Sequence, residues 1–81
     1  MKLQGKTAIV TGGASGIGRA SAVKLAQEGA GVVVCDIDFE NAGKVVAEIE
    51  GAGGRAIAVK ADVRSSEEIN RMVALALERF S

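Results

Sequence analysis

The stretch TGGASGIGRA, residues 11–20, decides what kind of fold this chain is expected to adopt. It follows the short β-branched run TAIVT, residues 7–11, and leads into a segment with helical periodicity. Gly12 would allow a tight turn out of the strand, and Gly16 would let the backbone approach a phosphate. Gly18 would let the helix pack close to the sheet. The pattern therefore predicts a strand–turn–helix unit whose helix N-terminus is suited to bind an anion.

A plainer interpretation of these glycines is an ordinary strand-to-helix loop in which they serve close packing. The surrounding sequence favours a phosphate site, because a second apolar run, GVVVCD at residues 31–36, ends in an acid. At the tip of a strand the carboxylate of Asp36 can accept hydrogen bonds from both hydroxyls of an adenosine ribose. Asp36 also fits a role limited to starting the next turn.

The same acid predicts which dinucleotide is preferred. A carboxylate at Asp36 would repel a 2′-phosphate, because two anions in contact without a cation are costly. No Lys or Arg stands at Ser15, Ile37 or Asp38 to offset that repulsion. The sequence thus favours NAD over NADP.

The rest of the chain continues the alternation of strands and helices. The predicted elements are a strand at 7–11, a helix at 17–28, a strand at 31–36, a helix at 39–50, a strand at 55–62 and a third helix that runs to the end. Asp38 is expected to cap the second helix, and a capping box of Ser65 and Glu68 to open the third. The strands are apolar enough to be buried on both faces. This order predicts an α/β fold with a parallel sheet in the order 3-2-1 and the first two helices on one face.

The third helix is expected to be incompletely covered. Its apolar stripe is Ile69, Met72, Val73, Ala76 and Phe80, and it has only part of a sheet to pack against. We therefore expect partial exposure of Met72, Val73 and Phe80.

Composition limits the classes of partner. Ten basic and ten acidic residues give a net charge of zero over 81 residues, which argues against nucleic acid and anionic membranes as partners. No apolar run is long enough for a membrane helix or a secretory signal. Cys35 is the sole cysteine, so it cannot form an internal disulfide, and it is expected to pack as a small hydrophobe. These features predict a cytoplasmic protein.

Two residues at the C-terminal end of the third strand have a further candidate role. Asp62 is placed to accept a hydrogen bond from an adenine amino group, and Val63 to pack near the ring. On spacing alone, Asp62 is equally well explained as a turn residue. Arg19 is interpreted as a solvated surface charge in preference to a phosphate ligand.

The segments TGGASGIG, CDID and ADV, in this order and at these intervals, resemble the N-terminal portion of short-chain dehydrogenases/reductases. The resemblance covers essentially the whole chain and implies a doubly wound Rossmann fold. It implies that the diphosphate is surrounded by Gly12, Ser15, Gly16, Ile17 and Gly18. It further implies that Asp36 and Ile37 lie at the ribose, and Asp62 and Val63 at the adenine.

The chain departs from the family pattern in the residues of catalysis. Family members carry an Asn-Ala-Gly segment, a catalytic Ser and a Tyr-x-x-x-Lys pair, in which the Tyr is the general acid/base. This sequence contains no Tyr and no His, so no catalytic residue and no metal ligand is predicted in it. Residues 1–81 are thus expected to be the N-terminal part of a single NAD-binding Rossmann domain without its catalytic half.

Three functions remain open at this point. The leading one is an NAD-dependent short-chain dehydrogenase that interconverts a secondary alcohol and a ketone, with 3-oxoacyl, sugar, steroid or small-alcohol substrates. The others are a non-catalytic dinucleotide-binding half-domain and an assembly module whose first strand pairs with another chain. For the complete protein, the resemblance implies a nicotinamide dinucleotide, a small-molecule substrate and a homo-oligomer.

Overall fold

A computed structural model of the chain describes residues 3–62 and 64–80. Strands and helices alternate as predicted: β1 Thr7–Thr11, α1 Gly16–Gln27, β2 Gly31–Cys35, α2 Phe39–Gly51, β3 Arg55–Val59 and α3 Ser66–Phe80. The largest difference from the predicted boundaries is at β3, which ends at Val59 and not at Asp62. It ends there because Val59 pairs with Cys35, the last residue of β2, so later residues have no strand beside them.

The three strands form one parallel sheet in the order β1-β2-β3, which confirms the predicted 3-2-1 arrangement. β1 pairs with β2 from Thr7 opposite Gly31 to Thr11 opposite Cys35. All five residues of β2 are buried, as expected for a central strand covered on both faces.

The sheet separates two apolar cores. On one face, α1 and α2 pack against Val32 and Val34 of β2. The helix residues of this core are Ala22, Ala26, Ala42, Val45 and Ile49. On the other face, α3 packs through Met72 and Ala76 against Val33, Cys35 and Ile57. The prediction that the first two helices share a face is therefore confirmed.

The prediction that every strand is buried on both faces is wrong for β1. Its burial alternates, with Thr7, Ile9 and Thr11 exposed and Ala8 and Val10 half-buried. Ile9 pairs with Val33 in register and so faces the α3 side of the sheet. The buried core under α3 is built on β2 and β3, and although α3 also contacts β1, Ile9 remains 38% exposed.

The expectation for α3 is corrected at one residue. Met72 is buried, because it lies in the core formed with Cys35 and Ile57. Val73 is exposed and Phe80 half-buried, as expected.

The helices have 12, 13 and 15 residues. Asp38 caps α2 as predicted, because its side chain accepts a hydrogen bond from the backbone N–H of Asn41 at 3.2 Å. Among the described residues, no helix combines the length and the apolar character needed to cross a membrane.

Candidate functional site

The glycine-rich loop leaves β1 through two residues with left-handed backbone conformation. Gly12 has φ +65° and Gly16 has φ +58°, values that side-chain-bearing residues rarely adopt. The tight turn predicted at Gly12 is therefore present. A Cβ at Gly16 would have no atom within 4 Å and would project into open space at the start of α1. The loop is thus open to solvent at Gly16, where the sequence predicts a diphosphate.

Gly18 permits close packing, but against a different neighbour from the predicted one. A Cβ at Gly18 would overlap the carbonyl oxygen of Gly12 and lie 2.7 Å from its carbonyl carbon. At Gly18 the first turn of α1 therefore packs directly on the loop at Gly12. The residue that approaches the sheet is Gly13, where a Cβ would lie 2.9 Å from Cγ1 of Val34. Sequence reasoning missed Gly13, although the Gly-Gly doublet was the available signal.

The N-terminus of α1 is accessible and carries no side-chain cap. Ser15 occupies the N-cap position with extended backbone, and its hydroxyl makes no capping hydrogen bond. Ile17 is 88% exposed. Since the first N–H groups of a helix have no intrahelical acceptor, this end presents donors and the positive end of the helix dipole. An anionic group such as a diphosphate fits this environment.

Arg19 does not extend over this helix end. Its guanidinium forms an ion pair with Glu48 of α2, with Nη2 and Oε2 2.6 Å apart. Both side chains are about half exposed, which agrees with the interpretation of Arg19 as a surface charge.

Asp36 joins the end of β2 to the glycine-rich loop. Its Oδ2 accepts a hydrogen bond from the N–H of Ala14 at 3.1 Å, and its Oδ1 accepts one from the N–H of Asp38 at 3.0 Å. The second contact is the turn role that the sequence left open. Each carboxylate oxygen retains acceptor capacity, so the predicted contact with a ribose is compatible with both bonds.

Asp62 is held by the residues that follow it. Its carboxylate pairs with Arg64 in a bidentate manner, with Nε 3.0 Å from Oδ1 and Nη2 2.8 Å from Oδ2. This pair lowers the pKa of Asp62 to about 2. The backbone carbonyl of Asp62 accepts from the N–H of Ser65 at 2.9 Å. Asp62 therefore has the turn role, and its predicted contact with adenine remains a prediction. Val63 lies outside the described residues.

One of the two hydrogen bonds of the predicted capping box of α3 is present. The hydroxyl of Ser65 accepts a hydrogen bond from the N–H of Glu68 at 3.3 Å. The carboxylate of Glu68 does not return to Ser65, since that N–H is already bonded to Asp62. It accepts a hydrogen bond from the N–H of Asp62 at 3.2 Å instead.

A cavity of about 240 Å³ lies between these segments, at the carboxyl ends of the strands. It is lined by Gly12, Cys35, Asp36, Ile37, Ala61, Asp62 and Arg64. Four predicted site residues thus surround one space, whereas Arg64 was missed because nothing in its local sequence marks it. A larger cavity, of about 370 Å³, lies at the opposite ends of the strands, and Arg55 is the charged residue in its lining.

Cys35 lines the 240 Å³ cavity, but it is not a reactive thiol. Its side chain is buried, and burial, with Asp36 and Glu68 nearby, raises its pKa. A raised pKa keeps the sulfur protonated and a poor nucleophile, so Cys35 packs as predicted.

Comparison with known proteins agrees with this arrangement. The chain is 48% identical over 79 residues to 2,5-dichloro-2,5-cyclohexadiene-1,4-diol dehydrogenase of Sphingobium indicum, covering 98% of this chain and 32% of that protein. It is also 48% identical to L-rhamnose 1-dehydrogenase (NAD(P)⁺) of a Sphingomonas species, covering 96% of this chain and 31% of that protein. The chain therefore spans about a third of the length of these relatives.

Solved structures show the same fold. The crystal structure of hydroxysteroid dehydrogenase from Escherichia coli superposes with a TM-score of 0.93 at 40% identity, covering 98% of this chain and 34% of that one. A 7α-hydroxysteroid dehydrogenase solved in complex with NADH and 7-oxo glycochenodeoxycholic acid also gives a TM-score of 0.93, covering 98% of this chain and 31% of that one. The family model described as short chain dehydrogenase matches residues 6–81. With its glycine-rich loop, parallel sheet and strand-end acids in place, this chain belongs to the short-chain dehydrogenase family.

Proposed function

We propose that residues 1–81 form the adenosine- and diphosphate-binding part of an NAD-dependent oxidoreductase that interconverts a secondary alcohol and a ketone. The observation that carries this proposal is the convergence of Gly12, Asp36 and Asp62 on one cavity beside the N-terminus of α1. The dehydrogenase names of the relatives and the NADH complex of the hydroxysteroid dehydrogenase support it.

Each part of the site has a task in this proposal. The open side of the loop at Gly16 and the free N–H groups of α1 hold the diphosphate, with Ser15, Ile17 and Gly18 around it. Asp36 accepts from the ribose hydroxyls, and Ile37, which is 59% exposed, packs against the adenosine. We propose contact with the adenine for Asp62 and, from the sequence resemblance alone, for Val63. The bound nicotinamide accepts or supplies the hydride.

The proposed preference for NAD comes from charge. Asp36 is half-buried, and its oxygens already accept hydrogen bonds from two backbone N–H groups. An ionised carboxylate repels a 2′-phosphate. The L-rhamnose 1-dehydrogenase relative is named for both cofactors, so the two dinucleotides have to be compared directly.

The proton that accompanies hydride transfer needs a donor outside this segment. General acid catalysis requires a group with a suitable pKa at the reacting oxygen, and residues 1–81 include no Tyr and no His. In this proposal the catalytic acid and the substrate pocket belong to other parts of the protein. We further propose a cytoplasmic location and a homo-oligomeric complete protein.

Titration of the full-length protein with NADH, followed by nucleotide fluorescence, tests the binding role. Gly16→Ala and Gly53→Ala form a matched pair, since both glycines have positive φ, +58° and +89°, and open space at the Cβ position. Both substitutions strain the backbone similarly, but only Gly16 lies at the proposed diphosphate. We expect Gly16→Ala to weaken NADH binding roughly tenfold, the value of about one charge-assisted hydrogen bond, and Gly53→Ala to leave it unchanged.

Turnover distinguishes the proposed enzyme from a binding module. Cyclohexanol, a hydroxysteroid and an aldose are offered with NAD, and NADH formation is followed by absorbance. Oxidation of any of them supports the proposal. NADH binding without turnover across a wide panel of alcohols favours a non-catalytic dinucleotide-binding protein, and absence of NADH binding contradicts the site itself.

A further inference from the structure

A positively charged side chain lines the cavity at the strand ends, and it comes from the segment after β3. Arg64 lines the same cavity as Asp36 and Ile37, although it follows β3 in the chain. Its side chain is 84% exposed and thus accessible to a ligand. A guanidinium is well suited to recognise a phosphate, and this one lines the cavity in which we propose that the ribose binds. Its presence bears on the choice between NAD and NADP.

Arg64 is not free to recognise a phosphate as the structure stands. Its Nε and Nη2 atoms donate to the two oxygens of Asp62, and its backbone N–H donates to Oδ1 at 2.9 Å. Among the described residues, Asp62 provides every hydrogen bond found for the Arg64 side chain. The positive charge of Arg64 is therefore already offset within the cavity wall.

Asp62 is itself fixed in this position. Its backbone N–H donates to Oε2 of Glu68, and its carbonyl accepts from the N–H of Ser65. These bonds attach the Asp62 turn to Ser65, which precedes α3, and to Glu68 in the first turn of α3, so the carboxylate is presented to Arg64 by an anchored backbone. Moving Arg64 towards a ligand would leave the Asp62 carboxylate unpaired.

We propose that the Asp62–Arg64 ion pair is a second determinant of cofactor choice, in which Asp62 withholds Arg64 from a 2′-phosphate. With both acids ionised and Arg64 paired, the charged side chains lining the cavity carry a net negative charge. A 2′-phosphate would add further negative charge to the same space. This inference rests on the proposed function, because it concerns the dinucleotide that the site binds. It differs from the role of Asp36, which would meet the ribose directly.

The proposal predicts that loss of the Asp62 charge helps a 2′-phosphate only while Arg64 is present. Binding of ADP and of adenosine 2′,5′-bisphosphate to the full-length protein is measured by calorimetry, and NADH and NADPH are compared by fluorescence. We expect Asp62→Asn to shift the affinity ratio towards the 2′-phosphorylated probe on the order of fivefold, the scale of an exposed ion pair. The double variant Asp62→Asn/Arg64→Ala is expected to lose this gain.

Two further variants keep the proposal testable even if Asp62→Asn does not fold. Arg64→Ala alters an exposed side chain and leaves Asp62 unpaired, so it should shift the ratio away from the 2′-phosphorylated probe. Asp38→Asn removes a nearby negative charge that does not line the cavity, and Asn also serves as a helix cap. We expect no change of the ratio for Asp38→Asn.

Several results would overturn the proposal. An unchanged ratio in Asp62→Asn or in Arg64→Ala would do so, as would an equal gain in Asp38→Asn or in the double variant. These outcomes leave the proposed function intact if ADP and NADH still bind the wild-type protein. If neither nucleotide binds the wild-type protein, the proposed function fails and this inference fails with it.

Discussion

The carboxylate of Asp36 accepts a hydrogen bond from the backbone N–H of Ala14 at 3.1 Å, across 22 positions of the chain. This bond connects the end of β2 to the glycine-rich loop that follows β1. A second contact between the same segments runs from the N–H of Gly13 to the carbonyl of Cys35 at 3.3 Å. The residue proposed to bind the ribose therefore also helps to hold the loop proposed to bind the diphosphate.

Asp36→Ala is expected to weaken NAD binding and to relieve the penalty on NADP in the full-length protein. The substitution removes a hydrogen-bond acceptor and a repulsive charge, and it costs about 1 kcal/mol of loop stabilisation from the Ala14 bond. Steady-state comparison of the two cofactors measures the preference. Asp36→Asn is the control that keeps an acceptor oxygen without the charge. An unchanged preference in both variants would limit Asp36 to the turn.

Gly18→Ala is expected to destabilise the protein by about 3 kcal/mol, because the new Cβ would overlap the backbone at Gly12. Gly43→Ala is the matched control, since Gly43 lies within α2 with open space at its Cβ position. Alanine there should be neutral or stabilising by up to about 1 kcal/mol. Urea unfolding of the two variants measures the difference. Equal stability of the two would contradict the close contact of α1 with the loop.

The Asp62–Arg64 pair predicts a pH dependence of the turn before α3. Asp62 has its pKa lowered from 3.8 to about 2, first through the side-chain hydrogen bonds of Arg64. A lowered pKa means that the stabilisation is fully present above about pH 4 and is lost as the pH falls through about 2.

Titration of the Asp62 carboxyl by NMR tests this expectation. In the Arg64→Ala variant the pKa should return towards 3.8, because the first cause of its shift is removed. A wild-type value near 3.8 would show that the ion pair does not persist in solution.

Residues 1–81 produced by themselves are expected to associate through β1. This strand is uncharged, pairs only with β2 among the described strands, and exposes Ile9 at 38%; such an edge can pair with another chain. Light scattering of the wild-type segment and of Ile9→Lys measures the effect, and the lysine should reduce association. Ala47→Lys adds the same charge at an exposed position of α2. If Ala47→Lys reduces association equally, the interface is not at β1.

The same isolated segment is expected to show no dehydrogenase activity. Proton exchange with an alcohol or ketone needs a matched donor, and neither Tyr nor His is present in it. A sensitive NADH assay with a panel of secondary alcohols tests this. Cofactor-dependent turnover would contradict the assignment of the chemistry to other parts of the protein.

The sequence by itself determined the order of the elements and the parallel sheet. Runs of β-branched residues, helical stripes and glycine turns act over a few neighbouring residues, so they can be recognised without the fold. The same holds for the helix cap at Asp38 and for the left-handed turn at Gly12, because both are local backbone requirements. The convergence of Asp36 and Asp62 could also be predicted, since the carboxyl ends of neighbouring parallel strands meet at one edge.

Only the tertiary structure decided which groups touch across that edge. The bond between Asp36 and Ala14, the contact of Gly18 with Gly12, and the place of Arg64 in the cavity depend on how the loops after β1 and β3 pack. The exposure of Ile9 likewise depends on where α3 lies over the sheet. Residue type and spacing do not encode these contacts, because each results from the packing of segments that are distant in the chain or from the path of a loop.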